Sequence, residues 1–130
     1  MQKNKITIEP YCPNLGAIVK GVDLSHTISS DAFLIIKKAF LEYQVLVFQD
    51  QEEIPPEKQI EFGKLFGKLH SHPAAPTMKG YPEIFEIHAH KDSKIANGEF
   101  WHSDVSCDNE PPLGTMLQLH ILPVSGGDTM

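Results

Sequence analysis

A chain of 130 residues, 41% hydrophobic and 22% charged, has the make-up of one soluble globular domain with one core and excludes a wholly disordered segment. Its net charge of −6 argues against a nucleic-acid backbone as partner, because binding phosphates requires a cationic face. No apolar run approaches the roughly 20 residues needed to cross a bilayer, and the polar start, Met1-Gln-Lys-Asn-Lys5, lacks an apolar signal core. The expected compartment is the cytoplasm, and Cys12 and Cys107, far apart in sequence, are expected to be idle thiols there.

In chain order, Lys5-Ile-Thr-Ile-Glu9 alternates polar and apolar residues and predicts a first strand. Gly16-Ala-Ile-Val-Lys20 predicts the second, punctuated by Gly16 and Gly21. Ser29-Ser-Asp31 offers N-cap chemistry for a helix on which Phe33, Ile36, Phe40 and Tyr43 share one face. Gln44-Val-Leu-Val-Phe48 reads as a short buried strand. Pro55-Pro56 starts a second helix that turns Ile60, Phe62, Leu65 and Phe66 to the core, with Gly67 as its C-cap.

Glu83 to His88 predicts a strand, followed by a polar loop from His90 to Gly98. Phe100 to Ser106 and Gly114 to Leu122 predict two more, broken apart by Pro111-Pro112. After the turn Pro123-Val-Ser-Gly-Gly127, Asp128-Thr-Met130 begins a further strand. Five to seven strands with two early helices make an α+β or mainly-β domain.

The chemistry concentrates in Trp101-His102-Ser103-Asp104-Val105. On a strand His102 and Asp104 would share one face, with Trp101, Ser103 and Val105 turned to the opposite layer. An imidazole and a carboxylate so placed are two corners of the 2-His-1-carboxylate triad, which leaves positions on iron(II) open for a cosubstrate and dioxygen. Seven His and seven Asp in this length give about 0.4 His-x-Asp pairs by chance, so the spacing alone does not separate a metal site from a hydrogen-bonded pair. His70/His72 and His88/His90 are two further same-face pairs of the kind that a zinc or cupin-type site uses. His26 and His120 read as structural.

Four motifs in order carry a resemblance: Gly16-Ala…Gly21-Val-Asp-Leu24, Gln44 to Phe48, Phe100-Trp-His-Ser-Asp-Val105 and Ser125-Gly-Gly-Asp-Thr129. With the intervening Phe62-Gly-Lys-Leu-Phe-Gly-Lys-Leu-His70 and His72-Pro73, the chain from 5 to 130 resembles the taurine dioxygenase family. The resemblance implies a mainly-β fold with flanking helices, a double-stranded β-helix (jelly-roll) of the clavaminate synthase-like kind, incomplete in this chain. It implies an iron(II)- and 2-oxoglutarate-dependent dioxygenase that uses O2 to hydroxylate a small anionic substrate, releasing succinate and CO2, and it suggests a homo-oligomer.

By the same resemblance His102 and Asp104 are the first two iron ligands and the catalytic pair. Thr129 binds the distal carboxylate of 2-oxoglutarate, and His72 contacts the anionic group of the substrate. Ala75 stands where taurine-binding members have tyrosine, and Gly98 where they have asparagine, with Asn97 adjacent and able to substitute. Losing those polar contacts disfavours taurine itself. The second ligating His and the arginine for 2-oxoglutarate match no residue among 1–130. The expectation is therefore the N-terminal part of a single dioxygenase domain spanning 1–130, inactive by itself. The alternatives are a non-catalytic, cupin-like metal-binding module and an inactive fragment.

Overall fold

The sheet is built around its most buried strand. Ala17–Lys20 (β2) buries Ala17 and Val19 and lies between Thr7–Pro10 (β1), antiparallel, and Leu46–Phe48 (β3), parallel. The computed structural model that shows this describes residues 5–71, 76–94 and 100–126. The β1–β2 loop is closed by the Tyr11 amide donating to the Gly16 carbonyl at 2.9 Å. Gly16 and Gly21, at either end of β2, hold φ of +85° and +78°, backbone that favours glycine.

Two parallel neighbours need a crossover, which the helix Ser30–Tyr43 (α1) supplies. Its N-terminus is capped as expected: the Ser29 hydroxyl accepts from the Ala32 amide at 3.3 Å, and Asp31 lies in the first turn. Ile36 and Ala39 are buried, and Phe33, Phe40 and Tyr43 are half-buried on the same face. At the far end the Gln44 amide donates to the Phe40 carbonyl at 2.8 Å, and the Gly16 amide takes up the Tyr43 carbonyl at 2.9 Å. The helix end is thus stitched to the start of β2.

The second helix, Pro56–Lys64 (α2), begins at the proline pair. It ends three residues before Gly67, the expected cap. The Leu65, Phe66 and Gly67 amides each bond three residues back, to Phe62, Gly63 and Lys64, a tightened last turn that does the cap's work. Leu65 is correspondingly exposed rather than in the core. Phe62 is buried with Leu24, Ile36 and Ile54. Phe33, Phe40, Phe48, Phe62 and Phe66 meet edge to face, with centroids 5.0–6.0 Å apart. Such pairs add to area burial because ring edges are positive and faces negative.

A hairpin follows: Thr77–Met78 (β4) and Tyr81–Phe85 (β5), turning at Gly80 with φ +88°. The sequence predicts the second of these, two to three residues too late, and does not predict the first. The Tyr81 hydroxyl donates to the Glu57 carboxylate and so ties the hairpin to α2.

Among the described residues there are five strands and two helices, in keeping with the α+β or mainly-β reading. None of the helices is long and apolar enough to cross a membrane.

Two predicted strands are not formed. Residues 100–106 run through turns, with the Asp108 amide bonded to the Val105 carbonyl at 3.2 Å and Val105 at φ +47°. Residues 114–122 have no ladder partner among the described residues. A strand is completed by its neighbour's amides and carbonyls, which its own sequence does not supply.

Residues 114–118 are nevertheless fixed to the helical layer. Met116 packs on the core. Gly114 lies so close to the Phe40 ring that a Cβ there would stand 2.9 Å from Cζ. The Gln118 side chain accepts from the Ile54 amide at 2.8 Å and donates to the Ile54 carbonyl at 3.2 Å.

Candidate metal centre

His102 and Asp104 come together without a strand to align them. His102 Nε2 lies 3.4 Å from Asp104 Oδ1, with both side chains about half exposed. Trp101, expected in an opposing layer, is instead 85% exposed, and Ser103 bonds to Ser106 across the turn at 2.7 Å. The convergence is a property of the turn.

The orientation of the imidazole is set by the main chain. Its Nδ1 is 2.6 Å from the Phe100 carbonyl oxygen, an acceptor only, so Nδ1 carries the hydrogen and donates. In the neutral ring Nε2 then presents a lone pair towards a carboxylate oxygen. A cation between these two electron-rich atoms, a proton on the ring or a metal ion, would offset their repulsion. Metal bonds to His nitrogen and to carboxylate oxygen are each about 2.1 Å, so one ion can reach both atoms. A backbone carbonyl fixing the tautomer of a ligating histidine is the usual outer support of such sites. The pair therefore fits a divalent metal. The other carboxylate oxygen, Asp104 Oδ2, accepts from the Thr115 hydroxyl at 3.0 Å.

The other histidines sort differently. His70 Nε2 pairs with Asp108 Oδ2 at 3.1 Å, tying the chain after α2 to the turn that follows Asp104. His88 and His90 lie with ring centroids 5.6 Å apart. His90 Nδ1 accepts from the Asp92 amide at 3.2 Å, which in the neutral ring leaves Nε2 protonated and unavailable to a metal. His120 stands beside Glu53, 3.7 Å away, and His26 closes a turn with Asp23 and Ser25. Cys12 and Cys107 are free and exposed.

Among the described residues no group of three or more His, Cys, Asp or Glu could hold a metal ion. His72, Asn97 and Thr129, with Ala75 and Gly98, lie outside the described residues. A surface hollow lined by Lys20, Asp23, Gln49 and Asp50, among others, does not include the pair. Thr115 and Asp108 are partners that sequence reading misses, since no motif marks a hydrogen bond between residues eleven or thirty-eight apart, and the Phe100 carbonyl is missed because a strand would turn it away from His102.

The resemblance to the taurine dioxygenase family is borne out by comparison with known proteins. Residues 7–130 match the family described as "Taurine catabolism dioxygenase TauD, TfdA family", and the chain belongs to that family. An alkylsulfatase of Acinetobacter baylyi is 36% identical over 115 residues, covering 88% of this chain and 35% of the relative. An alpha-ketoglutarate-dependent sulfate ester dioxygenase of Pseudomonas putida is 28% identical, covering 97% and 41%.

Among solved structures, a taurine dioxygenase from Burkholderia xenovorans superposes with a TM-score of 0.67 at 28% identity, covering 82% of this chain and 37% of that one. The chain thus spans between a third and a half of the length of the relatives it matches.

Proposed function

We propose that these residues belong to an iron(II)- and 2-oxoglutarate-dependent dioxygenase that hydroxylates a small anionic substrate of the sulfonate or sulfate-ester kind. The observation that carries the reading is the His102–Asp104 pair, with imidazole Nε2 and carboxylate Oδ1 facing each other at 3.4 Å. The sulfate-ester and sulfonate dioxygenases among its relatives support the substrate class. In this reading the strands form part of a jelly-roll, and the third ligand comes from outside the described residues.

Bound iron(II) with 2-oxoglutarate supplies the oxidising chemistry, in which decarboxylation to succinate and CO2 takes one atom of O2 and the substrate receives the other. His102 contributes a neutral nitrogen donor whose direction is held by the Phe100 carbonyl. Asp104 contributes one oxygen and the charge that offsets the cation. The pair leaves room on the metal for the cosubstrate and O2. Thr129 would donate to the distal carboxylate of 2-oxoglutarate, and His72 and Asn97 would meet the anionic group of the substrate. Ala75 and Gly98 offer no polar side chain at two positions where taurine-binding members have one, which directs the reading away from taurine.

The test is succinate formation by the purified full-length protein, given iron(II) and 2-oxoglutarate, against a panel of alkyl sulfates and sulfonates. Substrate-dependent succinate is expected from the wild type and none from Asp104→Ala. Undiminished, substrate-coupled succinate from Asp104→Ala would sink the assignment.

A further inference from the structure

We propose that Thr115 is a positioning residue for Asp104, holding the carboxylate in the rotamer that offers Oδ1 to a metal. The inference rests on the metal-site reading above and adds a residue to it. Asp104 is half exposed, so packing alone does not fix its side chain, and a carboxylate free to rotate presents either oxygen in any direction. Its Oδ2 is engaged by the Thr115 hydroxyl at 3.0 Å, which leaves Oδ1 turned towards His102 Nε2. Ligating carboxylates are commonly fixed by such hydrogen bonds.

Thr115 can act in this way because its own backbone is anchored on both sides. Gly114 abuts the Phe40 ring of α1, Met116 packs on the core, and Gln118 is clamped to both backbone groups of Ile54. Among the described residues the bonds His102 to Phe100, Ser103 to Ser106 and Asp108 to Val105 are local to the turn. The Thr115 bond transmits the position of the helical layer directly to a ligand, whereas the His70–Asp108 pair holds only the turn. Thr115 is itself exposed, so its replacement leaves no cavity.

The experiment is an anaerobic titration of the full-length protein with Mn(II), comparing wild type, Thr115→Val, Thr115→Ser and Asp104→Ala, with a thermal melt of each apo-protein. Thr115→Val keeps the shape and removes the hydroxyl. It is expected to weaken Mn(II) binding by about 10- to 100-fold without lowering the melt, while Thr115→Ser restores binding. Affinity within about threefold of wild type for Thr115→Val, beside a large loss in Asp104→Ala, overturns the inference alone. Unchanged affinity in Asp104→Ala overturns the metal-site reading and the inference with it.

Discussion

Gln118 does for Ile54 what a neighbouring strand would do. One planar side-chain amide meets both the N–H and the C=O of a residue that is 95% buried by its side chain and backbone together. Gln51 plays the same part for the loop after β2, accepting from the Leu24 amide at 2.8 Å and donating to the Val22 carbonyl at 2.9 Å. Because an unpaired buried amide forfeits its full desolvation cost, Gln118→Ala is expected to destabilise the protein by about 1–3 kcal/mol. Urea unfolding of the two proteins would measure it, and an unchanged midpoint would mean that water replaces the clamp.

Neither glutamine is legible in the sequence, since neither Gln118 between two leucines nor Gln51 in a polar run gives a sign of the main-chain groups it will meet. Ser29 and the Pro55-Pro56 pair are legible, because capping and first-turn preferences are satisfied within four residues. His102 and Asp104 fall between the two cases: the motif singles them out as a pair and they do come together, but through a turn and not through the alternation of a strand.

Glycine at the ends of β2 is an element-scale requirement with a test built in. Gly16 and Gly21 both have positive φ, but they differ in surroundings. A Cβ on Gly16 would make an ordinary contact at 3.7 Å, whereas one on Gly21 would stand 2.6 Å from the Lys5 carbonyl oxygen at the start of the β1 segment. Gly16→Ala therefore carries only the conformational cost, about 1–2 kcal/mol. Gly21→Ala carries that cost and must also push the backbone before β1 away from β2. The expected order of thermal stability is wild type, then Gly16→Ala, then Gly21→Ala, and equal melts for the two variants would show that the Lys5 segment yields freely. The same scale explains which elements were readable. β1, β2 and α1 are joined by short local connections and show clear periodicity. Residues 100–106 and 114–122 have the composition of strands, yet a ladder needs a partner that composition does not provide.

For the whole molecule, the order of motifs along the chain proved a better guide to its family than the geometry of any one segment. Apolar residues in the last third illustrate why: Phe100, Trp101, Leu117, Leu119 and Ile121 are all largely exposed, so burial does not single out the segment that holds His102 and Asp104. Folding stability should in turn respond to pH through a few surface carboxylates on the ordered layer. The Tyr81 hydroxyl holds the Glu57 carboxyl below its ordinary value of 4.5. Lys58, hydrogen-bonded to Glu61, does the same there, with help from Thr27. Ser25, through its side chain and amide, lowers Asp23.

Each of these groups binds its proton less readily folded than unfolded, so its contribution is present above its ordinary value, 4.5 for Glu57 and Glu61 and 3.8 for Asp23, and is lost as pH falls through the lowered value. Tyr81 acts in the opposite direction. Glu57 raises its hydroxyl above 10.0, and that contribution is lost only as the solution becomes alkaline beyond the raised value. All are solvent-facing, so each effect is small and screened by salt. Glu57→Gln keeps an acceptor for Tyr81 but no longer titrates. Urea midpoints measured from pH 6 down to about pH 3, the window set by these lowered carboxylates, should fall less steeply for this variant than for wild type. Identical slopes would mean that the Tyr81–Glu57 bond does not persist in solution, and that the hairpin is held to α2 by packing alone.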